Sequence, residues 1–395
     1  MSTEPSRPGL QAIELGARTA GRLALDTEFM GEGRYRTLLC LIQLAIPERA
    51  SGSERIEIVD PLADDLDASP LAAALADPAI QVVVHAGRQD VALVRRRFST
   101  EVRNVFDTQV AAAFVGLGAQ SSYESLLAKV LGVRVAKSAS FTRWDARPLS
   151  PEQLAYARED VVHLLELAAE LERRLTALGR LQWAREECGP LAHSSDQRDE
   201  EAIFARLPRV RALSARARPI ARELVAWREQ TAAREDRTVQ SVLSDHALIE
   251  IAKAGPSSAG QLEKIRGVGP GSMRRRSEEL LAAVRRGRER PPDPPPEKAR
   301  PPTPGHSDGE LIALTEALLR ARAREAGLAY ELLAARADLQ AIVSARRTGG
   351  SEADVRTLRG WRRELVGAEL LDLLDGRTSL SVLNQQLRAI AAPDA

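Results

Sequence analysis

A chain of 395 residues, at roughly 100 to 200 residues per domain, has room for several domains, each with its own core. Its 44% hydrophobic and 28% charged composition is that of a globular protein and excludes fibrous and disordered classes. The net charge of +1 conceals an asymmetry: residues 1–204 hold 23 Lys+Arg against 30 Asp+Glu, residues 205–290 hold 19 against 10, and residues 291–395 hold 14 against 15.

A basic middle region behind an acidic first one fits an anchor for a polyanion, and fits equally well arginines that only solvate helices. Cys40 and Cys188 are the two cysteines, so neither a disulfide framework nor a cysteine-built zinc cluster is available, which suits a reducing compartment. The opening stretch lacks the apolar core of a signal peptide, and no run approaches roughly 18 apolar residues. A cytoplasmic protein without a membrane span is expected.

Strands are predicted at 22–29, 37–45, 55–59 and 81–84, the last β-branched and continuous as a buried strand is, with Asp60-Pro61 ending the third. Ser69 is read as the cap of a helix over 70–76 with Pro70 at its first position. Strands mixed with helices make this an α/β domain. After Asp107 the pattern turns helical, at 108–115, 123–131 and 151–178. The last opens with Ser150-Pro151-Glu152-Gln153, which combines a cap, a proline and a glutamine at the capping-box position. The loop before it, 132–149, carries Lys137, Ser138, Arg143, Trp144 and Arg147, and residues 190–200 form a polar connector.

Residues 205–285 read as all-helical, with pieces at 219–234, 239–243, 245–254, 258–265 and 271–286, and Gly267-Val268-Gly269-Pro270-Gly271 separating the last two. The proline-dense stretch 289–309 is expected to be an extended linker. Residues 310–390 again read as short helices. There Leu358-Arg359-Gly360-Trp361 stands where the middle module has Ile265-Arg266-Gly267-Val268, so a diverged internal repeat is the simplest account.

Asp26-Thr27-Glu28 ends an apolar strand, and because strand side chains alternate faces, Asp26 and Glu28 project the same way. Two carboxylates forced together repel unless something positive lies between them, and hard divalent cations are the usual partner. Tyr156 and Asp160 stand at i and i+4 of a helix, on one face. Asp90 follows the strand Gln81-Val82-Val83-Val84 after the turn His85-Ala86-Gly87-Arg88-Gln89.

In this order the segments resemble the three exonuclease motifs of the DEDD superfamily, tyrosine subclass. Leu25 to Phe29 with Leu39 to Leu44, then His85 to Asp90, Phe106 to Gln109, Arg147 to Ser150 and Gln153 to Asp160 resemble the ribonuclease D family over residues 20–175. Residues 219–286 resemble its HRDC module, and 310–380 a second, weaker copy. One departure is Met30 to Thr37, where the family has a more aromatic stretch.

The resemblance implies a ribonuclease H-like α/β exonuclease domain (1–204, core 20–178), a first all-α HRDC domain (205–288), the linker (289–309) and a second, diverged HRDC-like domain (310–395). It implies a 3′–5′ exoribonuclease with two divalent cations, Mg²⁺ or Mn²⁺, acting on RNA such as tRNA precursors; the oligomeric state is open, with a monomer favoured. Asp26 would bridge both ions, Glu28 and Asp160 would complete the first, and Asp90 would support the second. Tyr156, with an ordinary pKa near ~10, is a poor base and is assigned to orienting water.

A DNA exonuclease and a non-catalytic RNA-binding adaptor are the competing readings; intact carboxylates argue against the adaptor. Phe29, Lys137, Trp144 and Arg147 are candidate RNA contacts; packing on its own domain is the alternative for Trp144, and a structural counter-ion the alternative for Arg147. His85 reads as a hydrogen-bonded structural residue. Arg274 and Arg275, behind the glycine turn at a positive helix end, are candidate phosphate contacts. On this reading, removing everything after about residue 200 spares cleavage of short oligonucleotides, and removing 310–395 alone matters less.

Overall fold

The structure is a computed structural model in which residues 9–48, 54–135, 143–268, 276–294 and 308–391 are described. Lys137, Ser138, Arg274, Arg275, the turn Gly269-Pro270-Gly271 and most of the proline-dense stretch lie outside the described residues. The chain divides into two compact units, Met1–Glu28 with Leu39–Ser195 and Pro302–Ala395, and Phe29–Leu38 with Asp196–Pro301. No helix among the described residues is long and apolar enough to cross a membrane.

In the first unit α1 (Leu10–Ala20) precedes β1 (Arg22–Met30), β2 (Leu38–Pro47), β3 (Glu54–Val59), α2 (Ser69–Ala76), β4 (Gln81–Val84), α3 (Arg88–Phe98) and β5 (Val105–Asp107). Then come α4 (Thr108–Phe114), α5 (Tyr123–Leu126), α6 (Pro151–Glu159), α7 (Leu164–Ala177) and α8 (Leu181–Cys188). The strands form one sheet in the order β3-β2-β1-β4-β5, with β1, β4 and β5 parallel and β2 antiparallel to β3. All four residues of β4 are buried, as a central parallel strand covered on both faces requires.

Period-two alternation sorts the sheet into two cores. Leu23, Leu25, Val82 and Val84 face one way, onto a cluster with Ile13, Leu71 and Val91 of α1, α2 and α3. Ala24, Ala45, Val83 and Phe106 face the other way, where the cluster includes Ala111, Phe114, Leu167 and Leu171 of α4 and α7. The alternation continues to the strand end, so Asp26 and Glu28 share the Ala24 face and Thr27 the Leu25 face.

Several expectations change. The helix over 151–178 is two helices, because Val161 and Val162 both hydrogen-bond back to the Arg158 carbonyl and the turn re-forms at Leu164. Two successive β-branched residues fit a helix interior poorly. The Ser150–Gln153 capping box is present. Ser69 belongs to α2 itself, and Asp67 accepts from its N–H and hydroxyl. The helix over 123–131 is one α-turn followed by a π-turn, Leu127–Leu131. The elements α1, α3, β5 and α8 lie outside the predicted ones.

The second unit holds α9 (Glu200–Arg206), α10 (Ala217–Glu235), α11 (Val239–Val242), α12 (Asp245–Ala254), α13 (Ala259–Leu262) and α14 (Ser277–Glu289). Leu224, Val225, Leu248, Ile251, Leu280 and Val284 form its core. Gly287 lets α14 lie against the start of α10, since a Cβ there would strike the Ile220 backbone. Tyr35 belongs to this unit: its hydroxyl donates to Glu229 at 3.1 Å and its N–H to Asp236 at 3.2 Å, while the Arg198 guanidinium lies 5.4 Å from its ring centroid.

The last segment, back in the first unit, comprises α15 (Asp308–Ala326), α16 (Tyr330–Leu333), α17 (Arg336–Thr348), α18 (Gly360–Arg362), α19 (Ala368–Leu374) and the antiparallel strands β6 (Thr378–Leu383) and β7 (Gln386–Ala391). The hairpin corrects the reading of 310–390 as helices alone. Leu318, Leu319, Trp361 and Leu370 join the core of Phe106 and Phe114. Trp361 stacks on Trp183 (5.3 Å, 20°) and meets Phe114 edge-on (5.0 Å, 78°), and the Arg362 guanidinium pairs with Glu187.

Candidate active site

The parallel strands β1 and β4 run in one direction, so their carboxyl ends open at one edge of the sheet, where an α/β fold has room for a ligand. β1 delivers Asp26 and Glu28 there. β4 leads through His85 to Gly87 into the first turn of α3, which carries Asp90. Gly87 is required sterically: a Cβ would stand 2.5 Å from the Cβ of Val84. Its N–H donates to Asp107 Oδ2 (2.9 Å), and Ala86 N–H donates to Oδ1 (3.1 Å). The same carboxylate caps α4 through the Gln109 and Val110 N–H groups. A single buried side chain thus fixes both the approach to Asp90 and the start of α4. The Thr27 hydroxyl donates to Asp90 Oδ1.

Asp160 is the residue at which α6 ends, and Tyr156 lies one turn before it. Burial first, then Asp90, Asp160 and Glu28, push the Asp26 carboxyl well above its usual range. Glu28 is pushed up to about 8 by burial, then by Asp160 and Asp90. Burial and the neighbouring Glu124 and Glu159 raise Asp160 to about 7, against the contact with the Tyr156 hydroxyl. Asp90 rises to about 6 through burial, with the Thr27 hydroxyl opposing. Tyr156 itself is held above the ordinary phenol range by burial, then by Asp160, Glu28 and Asp26. The five predicted residues are therefore one electrostatic group. Among the described residues no three acidic, histidine or cysteine side chains stand close enough together to hold a metal ion as they are.

The other candidates separate. Trp144 is 4% exposed and packs on the Tyr156 ring at 5.9 Å, so it buttresses the tyrosine and offers no free face to a base. Arg147 is no phosphate contact: its five N–H donors go to Asp60 (Nε 2.5 Å, Nη2 2.6 Å) and to the carbonyls of Trp144, Ala146 and Cys40, each at 2.8 Å. It latches the loop onto β2 and the end of β3. Phe29 is 40% exposed beside Glu28. His85 is structural, as expected: Nδ1 lies 2.9 Å from the Thr108 hydroxyl and the ring packs on Tyr123 at 5.6 Å.

Three residues at the site escaped the sequence reading. Glu124, in the first turn of α5, acts electrostatically on Asp160, Tyr156 and His85. Thr27 holds Asp90, and nothing in a D-x-E pattern marks its middle residue. Asp107 had a signal, an Asp-Thr-Gln start to an apolar run, but its acceptance of the Ala86 and Gly87 N–H groups depends on strand order.

Residues 9–176 match the 3′-5′ exonuclease family, and residues 217–284 the HRDC domain. Ribonuclease D of Granulibacter bethesdensis is 35% identical over 383 residues, which cover 96% of this chain and 94% of the relative. Ribonuclease D of Gluconacetobacter diazotrophicus is 36% identical over 372 residues, covering 94% and 92%. The crystal structure of Escherichia coli RNase D, an exoribonuclease involved in structured RNA processing, superposes with a TM-score of 0.78 at 28% identity, covering 95% of this chain and 99% of that one.

Proposed function

The chain belongs to the ribonuclease D family and is a 3′–5′ exoribonuclease, and from that premise we propose that Asp26, Glu28, Asp90, Asp160 and Tyr156 are its hydrolytic centre and that 3′ ends of tRNA precursors and other structured RNAs are its substrates. The observation that carries the site is the joint elevation of four carboxyls at one sheet edge, each raised by burial and Asp26 and Glu28 by the other acids as well. Proteins bury such a group when a positive charge completes it.

Hydrolysis in this family depends on divalent metal. The donor set fits: every oxygen belongs to a carboxylate, the hard ligand that Mg²⁺ and Mn²⁺ prefer. Asp26, Glu28 and Asp160 would hold one ion, and Asp26 with Asp90 the second. When bound, the ions activate a water and neutralise charge on the scissile phosphate and the leaving 3′-oxygen. The protein's own residues do the rest. Thr27 and Asp107 keep Asp90 in place, and Trp144 packs on the ring of Tyr156. Tyr156 keeps its proton, so its hydroxyl orients the attacking water by hydrogen bonding and is no base. Phe29, 40% exposed and next to Glu28 in the strand, is the candidate to pack on the terminal nucleotide.

The test offers 3′-labelled RNA and matched DNA to the protein with Mg²⁺, Mn²⁺ or chelator. Mononucleotides should leave RNA from its 3′ end and stop with chelator. Asp26→Asn should lower the rate by roughly a hundredfold or more, since even outer-shell substitutions at metal sites cost up to about that, and Asp26→Asn activity within tenfold of wild type overturns the assignment.

A further inference from the structure

The second unit contains a cavity of about 360 Å³ whose lining includes Arg216, Lys253, Gly255, Gly287, Arg288 and Arg290. Four lining residues are cationic and none is acidic. It opens where the start of α10 meets the ends of α12 and α14. We propose that it grips the phosphodiester backbone of structured RNA.

The place of the cavity follows from the pairing of α10 with α14. Glu279, early in α14, accepts from Trp227 and Arg234 in the later half of α10, while Gly287 lies against Ile220 at its start. The two helices are antiparallel, so the cavity lies at the end of the pair where α14 finishes and α10 begins.

The chemistry of the lining selects the ligand. The backbone donors at the start of α10 are occupied: Ala217 and Arg218 N–H bond to Ser214, and Pro219 has none. Recognition therefore falls to side chains. Lys253 is neutralised by Glu250 (2.8 Å), and Arg290 by Glu223 (2.5 Å). Arg216 has no ion pair among the described residues, and Arg288 donates to the Gly255 carbonyl without a carboxylate partner. Two uncompensated guanidiniums at one cavity match the bidentate geometry of phosphate oxygens. No aromatic residue lines the cavity, so there is no platform for a base, and the grip is on backbone irrespective of sequence.

The proposal rests on the exoribonuclease reading with structured RNA as substrate, and the test separates the two. Full-length wild type, Arg216→Gln and Arg216→Gln/Arg288→Gln are titrated with a tRNA-sized folded RNA at several salt concentrations. All three are also assayed for metal-dependent cleavage of a short single-stranded oligonucleotide. The single variant should lower the slope of log affinity against log salt by roughly 0.7–0.9 and the double by about twice that. At low salt the double variant should bind the folded RNA about tenfold more weakly or worse. Cleavage of the short oligonucleotide should stay unchanged.

Slopes equal to wild type in both variants overturn the proposal while leaving the nuclease reading intact. A wild type that binds no folded RNA overturns both. Inorganic phosphate is the competing source of the same chemistry: phosphate binding lost in the variants while their RNA slope is kept marks a small-anion site and overturns the proposal. Arg216 is exposed and holds no other element, so its variant keeps the test decisive should the double variant misfold.

Discussion

Glu28, raised to about 8, Asp160 to about 7 and Asp90 to about 6 hold protons in the folded protein that the unfolded chain releases in the ordinary carboxylate range. Without metal, the native state therefore binds more protons than the unfolded state between about pH 5 and pH 8, and stability must fall as pH rises through that window. Denaturant midpoints in chelator should show this decline, and Mg²⁺ should flatten it by binding only the folded state. Asp26→Asn, which removes one of the repelling charges, should make the metal-free protein as stable as wild type or more so at neutral pH. Tyr156→Phe keeps the ring on Trp144 and loses only the hydroxyl. Turnover should drop roughly tenfold to a hundredfold with RNA binding unchanged, as single-turnover kinetics would reveal. A loss of RNA binding with an intact single-turnover rate would instead assign Tyr156 to the substrate pocket.

Among elements, the loop ahead of α6 changes most between sequence and structure. Arg147 looked equally suited to a phosphate and to a counter-ion because spacing identifies a cation and says nothing of its partners. The partner Asp60 is distant in sequence and is reached only because β2 and β3 pair. Burial raises Asp60, yet the Arg147 hydrogen bonds hold it below its usual range. Arg147→Lys cannot replace five planar donors with three, so it should destabilise the protein by about 1–3 kcal/mol. The salt slope of RNA binding should not move. The acids of the site were legible because two of them end or follow apolar strands, and Tyr156 with Asp160 keeps its one-turn spacing. The split of the 151–178 helix was not, since apolar periodicity runs on through Val161 and Leu164. The terminal hairpin had an alternating pattern, but its turn, Asn384-Gln385, takes positive φ at both residues without the glycine that usually announces it.

For the whole molecule, the charge asymmetry suggested modules that could be removed one at a time. The core contradicts that for the last segment. Trp361, 1% exposed, and Leu370, fully buried, belong to the same cluster as Phe106 and Phe114 of the exonuclease fold. Deleting residues 308–395 uncovers this face, and at about 25 cal/mol per Å² of apolar surface the cost is on the order of several kcal/mol, comparable to the stability of a domain. That truncation should be poorly soluble, with little cleavage of even short oligonucleotides, where the sequence alone pointed to a mild effect. Solubility and hydrogen exchange of α4 and α8 would check it.

The shared core also sets when the protein can become active. Phe114 leaves the ribosome long before Trp361 is made. At about 5–20 residues per second the interval is on the order of ~10 to ~50 s, and throughout it the Phe114 face of the sheet lacks its final cover. Until then the sheet that carries Asp26 and Glu28 cannot finish packing against the helices that follow it. A chain that ends before Trp361 should therefore behave as the truncation of 308–395 does, however complete its acidic residues.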